Sequence, residues 1–494
     1  MASQEELRKS RLAKLHLLEK AGINSYPAES NETHKNLQII NAFDVFEKSE
    51  ETVTIAGRVM SIRGQGKISF IDVFDGTVAL QVVMKADENP QYIDHEEIED
   101  ALSFFQDTVD IGDFVEVTGT VFVTQKGQQS LAGHLWRMLT KATLPIPDEH
   151  YGLKDDDERY RKRYLDILLD KDKKELFIKK AKFWSVMRTF LEAKEFIEVH
   201  TPTLETTTGG AEAEPFTTHH NDLDIDIHLR ISVGELWQKR LMAAGFNKTY
   251  EIGRAYRNEG TSPDHLQEFT NMEFYWAYAD YNDGMKLVQE MYRTIATEVF
   301  ATTKFETRGH AFDLADEWKT IDYVAEIKTQ TGIDVLNTTS EKLQEFLESK
   351  SIKSEAKTFE RLVDSTWKFC RKQLSGPAFV IGYPDFMQPL AKRNAENPQT
   401  VEQFQVLLGG AEIGKGYSEL NDPQDQRTRF EHQQKLREQG DEEAMMPDYD
   451  FLEMLEHGMP PTCGFGAGER LFAFLVDKPI REVTLFPLMR PKEK

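Results

Sequence analysis

Tyr250-Glu251-Ile252-Gly253-Arg254-Ala255-Tyr256-Arg257-Asn258-Glu259 and Glu268-Phe269-Thr270-Asn271-Met272-Glu273-Phe274-Tyr275-Trp276-Ala277-Tyr278 are the two runs on which the reading of this chain turns. Both are rich in aromatic and β-branched residues. The segment between them, Gly260 to Gln267, carries Gly, Ser, Pro and Asp, so the stretch predicts a long-looped β-hairpin. Side chains alternate along a strand, so Arg257 and Glu259 share one face, and Glu273 and Tyr275 share one face. A hairpin that only fills a core avoids such charge. The pattern predicts the floor of a site for a charged, partly aromatic small molecule. A solvated face carrying surface ion pairs is the competing reading.

The 494 residues suit two or three domains. With 39% hydrophobic and 29% charged residues, the composition is that of a globular protein with a sizeable core. No apolar run reaches membrane-spanning length, and no signal segment is expected at the start. The two cysteines, Cys370 and Cys463, lie far apart without metal-ligand spacing. A reducing cytoplasm is expected, and neither a zinc site nor a disulfide scaffold. The formal net charge of −24 means that any nucleic-acid contact must come from local basic patches.

Outward from the hairpin, residues 1–25 predict an amphipathic helix in a helical extension spanning 1–50, with Arg8, Lys9, Arg11 and Lys14 between the leucines. That basic face is either solvated or touches a nucleic-acid backbone. Between 51 and 145, five short β-runs are expected at Val53–Met60, Lys67–Phe74, Val78–Met84, Phe114–Thr124 and Ser130–Leu139. A helix near Asp94–Gln106 follows the third. This is the layout of an OB-fold barrel, whose strand face binds oligonucleotides. Phe70 and Gln81 on the early strands, with Arg63 beside them, suit stacking and edge-reading of single-stranded RNA. The alternative is a core Phe and a surface Gln.

Residues 146–174 read as a linker. Its second half begins Arg159-Tyr160-Arg161-Lys162-Arg163-Tyr164, and 159–182 holds ten Lys or Arg against four Asp or Glu, the best basic patch in the chain. A long helix is expected over Glu175–Lys194, with Arg188 solvated, then a strand Phe196–His200 ending at Pro202. Such a helix–strand unit can build a subunit interface. Gly209 and Gly210 permit close backbone approach to a ligand. His219, His220 and His228 lack metal-ligand spacing and read as structural. Residues 307–375 are α-rich and resemble an inserted subdomain. Near the end, Glu412 and Glu419 occupy a Gly-rich strand and turn, where oxygen ligands would suit Mg²⁺. Pro461 to Phe472 predicts a strand–glycine–helix element that delivers Arg470.

These pieces resemble the bacterial class II lysyl-tRNA synthetases over nearly the whole chain. The resemblance rests on Tyr256-Arg257-Asn258-Glu259 with its loop and Phe269, on the 175–202 helix and strand, and on the Gly-rich segment ending in Arg470. It rests also on Ser418-Glu419-Leu420-Asn421-Asp422 and on Leu485-Phe486-Pro487-Leu488-Met489-Arg490-Pro491. It implies an α+β chain: an N-terminal OB-fold β-barrel, then a class II synthetase catalytic domain at 175–494, built on an antiparallel sheet with flanking helices. It implies activation of lysine by ATP and transfer to tRNA(Lys), a Mg²⁺ requirement, a homodimer and a cytoplasmic location.

By that resemblance Arg257 binds the α-phosphate and the amino-acid carboxylate, with Arg257 and Arg470 as the catalytic pair. Glu259 lies at the adenine side, Phe269 stacks under the ring, and His265 and Arg470 hold the outer phosphates. Glu412 binds Mg²⁺. Gly210 and Glu273 receive the α-amino group, and Glu235, Tyr275 and Glu419 surround the ε-ammonium. Arg63, Phe70 and Gln81 match anticodon-reading positions. The chain departs from the family pattern at several places. Gln405 stands where a second metal-binding Glu is usual, and Lys415 where an Asn commonly touches the substrate carboxylate. Glu214 replaces an Arg, the Ser232–Glu235 segment is one residue longer, and the Arg470 motif is one residue shorter. These departures keep open a catalytically silent tRNA-binding paralogue.

Overall fold

The computed structural model describes residues 3–64, 66–95, 97–147, 153, 155–211, 213–352, 358–438 and 444–492. The chain divides into two compact units, Met1–Asp155 and Asp156–Lys494.

The first unit opens with helix α1 (Gln4–Lys20), which starts in a capping box between Ser3 and Glu6. Its basic side is not simply solvated. Arg11 is buried and donates to the carbonyls of Ala142 and Ile111, and Lys14 reaches Asp110 at 2.8 Å. Helices α2 (Asn36–Asn41) and α3 (Phe43–Ser49) follow. Strands β1 (Val53–Arg63), β2 (Ile68–Phe74), β3 (Ala79–Lys85), β4 (Gln91–Tyr92), β5 (Phe114–Val123) and β6 (Gln129–Thr140) form a sheet ordered β3-β2-β1-β5-β6-β4. A further parallel pairing of β3 with β6 closes it into a barrel of the expected OB layout. Alternate residues fill the interior, among them Ile55, Val73, Val82, Val117 and Trp136. Helix α4 (Ala101–Thr108) begins later than the sequence suggests, because the Asp100 carboxylate caps it by accepting from the Ser103 N–H.

The second unit opens with α5 (Asp156–Arg161) and α6 (Arg163–Leu169), within the stretch expected as linker. Here the arginines of the basic run serve the fold. Arg159 pairs with Asp156, Asp166 and Glu482, and Arg161 pairs with Asp157. Arg163 is fully buried on Asp166 and the carbonyls of Arg481, Thr484 and Leu485. Helix α7 (Lys171–Ala193) buries Phe183, Met187, Phe190 and Leu191. Arg188, expected in solvent, instead grips Glu198. The chain continues through β7 (Ile197–Glu198) and a small sheet of β8 (Leu204–Glu205), β9 (Thr217–His220) and β10 (Ile225–Leu229). After α8 (Glu235–Ala243) it forms the central hairpin, β11 (Lys248–Tyr256) and β12 (Glu268–Ala277).

Helix α9 (Tyr281–Phe300) and the hairpin β13 (Lys304–Thr307) with β14 (His310–Asp313) come next. Strand β15 (Lys319–Asp322) and helices α10 (Tyr323–Thr331), α11 (Ser340–Ser349) and α12 (Phe359–Arg371) follow. Strands β16 (Ala378–Ile381), β17 (Gln403–Leu408) and β18 (Ala411–Ser418) precede α13 (Pro423–Glu438) and α14 (Tyr449–His457). The chain ends with β19 (Thr462–Gly468) and α15 (Glu469–Leu475). The α-rich stretch is tied into the unit: β15 joins the main sheet beside β16, and Tyr323, Leu343, Val363 and Trp367 share a core with Val380 and Leu407.

The main sheet has eight strands in the order β15-β16-β17-β18-β19-β12-β11-β7. Only the edge pairings β7–β11 and β15–β16 are parallel. One face packs on α7 and α9 through a core that includes Met187, Tyr250, Phe274, Met291 and Phe465. The other face carries polar side chains. The two units together make an α+β chain, a barrel followed by a mainly antiparallel sheet with flanking helices.

Candidate active site

The site is built on the polar face of β12, β19 and β18. In register, Asn271, Glu273 and Tyr275 lie opposite Gly468, Gly466 and Gly464, and Lys415 and Tyr417 lie opposite Gly466 and Gly464 on the other side. The glycine strand in the middle leaves room for its neighbours. A Cβ on Gly464 would lie 2.1 Å from Glu419 Oε1 and 2.7 Å from Tyr275 Cε1. The result is a cavity of about 400 Å³. All thirteen site residues expected in this unit line it: Arg257, Glu259, His265, Phe269 and Arg470 at one end, with Gly210, Glu235, Glu273, Tyr275, Gln405, Glu412, Lys415 and Glu419 around the rest.

One end is acidic and buried. Glu273 is held by neutral donors: the Val233 N–H at 2.7 Å, the Asn271 amide at 2.9 Å and the Tyr275 hydroxyl at 3.2 Å. The Val233 contact depends on the Ser232–Glu235 segment, which turns at Gly234 in the left-handed region, φ +71°. A Cβ there would lie 2.1 Å from Thr201 Oγ1. Glu235, at the start of α8, and Glu419, just past β18, face each other across Tyr275 and Tyr417. The Tyr417 hydroxyl donates to Glu235. Burial pushes both Glu273 and Glu419 up, to about 7 and about 8, with the negative charge of Glu235 adding to the effect.

The sequence reading missed the residue between these acids. Lys239 is buried, with Nζ 2.8 Å from Glu235 Oε1 and 2.5 Å from Glu419 Oε2. It follows Glu235 by four residues on one helix, a spacing that makes the pair legible once Glu235 is chosen. Glu251 was also missed. It is buried on Arg230 at 2.7 Å and on the Thr201 N–H and hydroxyl.

The other end is cationic. Arg257 lies over the Phe269 ring, 5.2 Å from its centroid. Arg470, delivered by the first turn of α15, lies 3.9 Å from Asp264 in the hairpin loop, and Arg308 clamps the same Asp264. The sequence reading named neither Asp264 nor Arg308. Burial and the nearby Arg470 charge push the His265 imidazole down. Between the two ends, Glu412 Oε1 accepts from Trp367 Nε1 at 2.6 Å and from the Tyr383 hydroxyl at 2.7 Å. Gln405 is on the neighbouring strand, paired in register with Lys415, whose ammonium lies 5.6 Å from the Tyr417 ring centroid. Among the described residues no group of three or more His, Cys, Asp or Glu could hold a metal ion, and His219, His220 and His228 form none.

In the first unit, Arg63 lies opposite Phe70 and Gln81 opposite Asp72, two residues on, so the three expected positions share one barrel face. Arg63 pairs with Asp72 at 3.0 Å, and Gln81 accepts from the Ser130 hydroxyl at 2.9 Å. Phe70 is half-buried.

The sequence is similar to that of known proteins. Residues 155–490 match the family of class II tRNA synthetases (D, K and N), and residues 53–135 match the OB-fold nucleic acid binding domain. The chain belongs to the class II tRNA synthetases of the D, K and N group. Among its relatives, the lysine–tRNA ligase of Roseiflexus sp. (strain RS-1) is 41% identical over 99% of both chains. That of Thermotoga maritima is 40% identical over 99% of this chain and 97% of the relative, and that of Bacillus subtilis (strain 168) is 40% identical over 97% and 96%.

Proposed function

We infer that this chain is a lysine–tRNA ligase. The observation that carries the reading is the polarity of one cavity: arginines and an aromatic platform at one end, three buried carboxylates at the other. Such a cavity suits ATP at the first end and an amino acid with two ammonium groups at the second. The lysine carboxylate attacks the α-phosphorus of ATP. The bond to the bridging oxygen breaks, pyrophosphate leaves, and lysyl-adenylate remains. A ribose hydroxyl of the tRNA 3′ end then attacks the carbonyl, loses its proton and displaces AMP. Positioning and charge stabilisation account for such a reaction without a nucleophilic side chain.

In this reading Arg257 bridges the α-phosphate and the amino-acid carboxylate. Lys415 lies at the carboxylate side, Phe269 and Glu259 hold the adenine, and His265 and Arg470 take the outer phosphates. Glu273 and Gly210 receive the α-ammonium, and Glu235, Tyr275 and Glu419 the ε-ammonium. The described residues fit Mg²⁺ held in part by nucleotide phosphates. Glu412, whose Oε1 already takes two donors, and the Gln405 amide supply oxygen ligands but too few for an all-protein cage. When bound, the ion would neutralise developing phosphate charge.

Arg63, Phe70 and Gln81 read the anticodon. A homodimer through the α7–β7 region and a cytoplasmic location complete the reading. Mass measurement in solution tests the first, and the absence of a disulfide between the two buried cysteines agrees with the second. Among the described residues no helix is long and apolar enough to cross a membrane. The decisive experiment is exchange of labelled pyrophosphate into ATP. Exchange is expected with lysine alone. Exchange driven by aspartate or asparagine, or tRNA binding without any exchange, overturns the reading.

A further inference from the structure

We infer that Lys239 is a positioning residue of the amino-acid site: a resident ammonium behind the carboxylate pair that fixes both acids and sets the charge they present. This deepens the lysine reading above and rests on it.

Glu235 and Glu419 come from different places in the chain, the start of α8 and the residue just past β18. Lys239 ties them together with contacts of 2.8 and 2.5 Å. Glu235, Tyr275, Tyr417 and Glu419 line the cavity, whereas Lys239 is not among the described residues that do. The two carboxylates therefore stand between the Lys239 ammonium and the space where a ligand sits. Tyr417 and Phe451 wall in the ammonium, with ring centroids 5.4 and 5.8 Å away. A buried ammonium is tolerated only where paired, and these two acids pair it.

The charge count gives the arrangement its consequence. Glu235, Glu273 and Glu419 are three acids and Lys239 is one base, all buried. With all four ionised, the state that an ammonium ligand beside them favours, the difference is two negative charges. An amino acid with an α- and a side-chain ammonium brings two positive charges and balances the pocket. One with a neutral side chain leaves a buried carboxylate uncompensated, which is costly in a medium of low dielectric. Without Lys239 the count in that state is three, no diamino acid balances it, and the side-chain tie between Glu419 and Glu235 is lost.

The test is lysine-driven pyrophosphate exchange by the whole chain in the parent, in Lys239→Met and in Lys239→Arg. In Lys239→Met the KM for lysine is expected to rise about tenfold or more, the loss typical of a charged hydrogen bond, while the KM for ATP moves less than about twofold. Lys239→Arg keeps the charge and is expected to recover part of the loss. A folded Lys239→Met with the parent's lysine KM, or with lysine and ATP KM rising together, overturns the inference. Where thermal melting shows Lys239→Met unfolded, Lys239→Arg decides: a selective rise in lysine KM supports the role and an unchanged value overturns it. A parent that shows no lysine-driven exchange removes the lysine reading together with this inference. Equal lysine KM in parent and folded variants removes the role of Lys239 alone.

Discussion

Glu251 and Glu273 are directly opposite each other across the central hairpin, and both are buried. Like charges in this relation destabilise a sheet unless each is compensated. The two are compensated differently. Glu251 has the fixed charge of Arg230 at 2.7 Å, while Glu273 has neutral donors and an open side toward the cavity. One acid is thereby committed to the fold, and the other is left facing the cavity.

The first prediction follows from that division. Arg230→Met leaves Glu251 as an uncompensated buried charge and is expected to cost about 3–5 kcal/mol. Removing both charges in Arg230→Met/Glu251→Met is expected to recover most of it. Urea unfolding midpoints of the two variants check this. A single variant as stable as the parent would contradict the assignment.

Lysine binding is expected to release protons in neutral solution. Glu273 and Glu419 are raised by burial to about 7 and about 8, so each holds a proton part of the time in the free protein. An ammonium placed beside them favours the ionised form and expels it. The sign follows: lysine affinity falls as pH drops below about 7 and levels off above about 8. The other groups facing this pair are Glu235, Lys239, Tyr275, Tyr417 and Cys463. Burial pushes the last three well up, so they stay protonated through this range. Calorimetry in buffers of different ionisation enthalpy reads the proton count directly, and no release would refute the expectation.

Gly464→Ala is expected to damage the amino-acid end and spare the ATP end. The new methyl would meet Glu419 Oε1 at 2.1 Å and Tyr275 Cε1 at 2.7 Å, inside any allowed contact. Both side chains would have to move within a close-packed pocket, a change that costs about 1–3 kcal/mol. The expected result is a lysine KM raised about tenfold with ATP KM nearly unchanged, since each 1.4 kcal/mol is tenfold. Equal effects on both would place the damage elsewhere.

The hairpin, the barrel and the Gly-rich strand were legible because each is local: an alternating run, a turn signal, a glycine spacing. Residues whose roles depend on chain-distant partners were not. Arg163 and Arg188 read as surface charge because Arg481, Glu482 and Thr484 lie over three hundred residues from the first, and because Glu198 is separated from the second by a helix end. Asp264 became visible only when Arg308 and Arg470 were folded beside it. Lys239 is the instructive case. Its partner Glu235 was chosen from the resemblance, and the basic residue one turn later was not singled out, although it is buried with α8.

Phe70 offers a test of the division of labour proposed for the two units. It is half-buried on the barrel face that also carries Arg63 and Gln81, and the Arg63–Asp72 pair lies beside it. A ring in that position gives an unpaired base a stacking surface worth about 1–3 kcal/mol. Phe70→Ala is therefore expected to raise the KM for tRNA in the charging reaction by about five- to a hundredfold, while lysine-driven pyrophosphate exchange, which needs no tRNA, stays at the parent's rate. Were Phe70 a packing residue of the barrel, the variant would instead lower the melting temperature of the first unit and leave tRNA KM unchanged in the folded fraction. Measuring exchange, charging and melting on one preparation decides between the two.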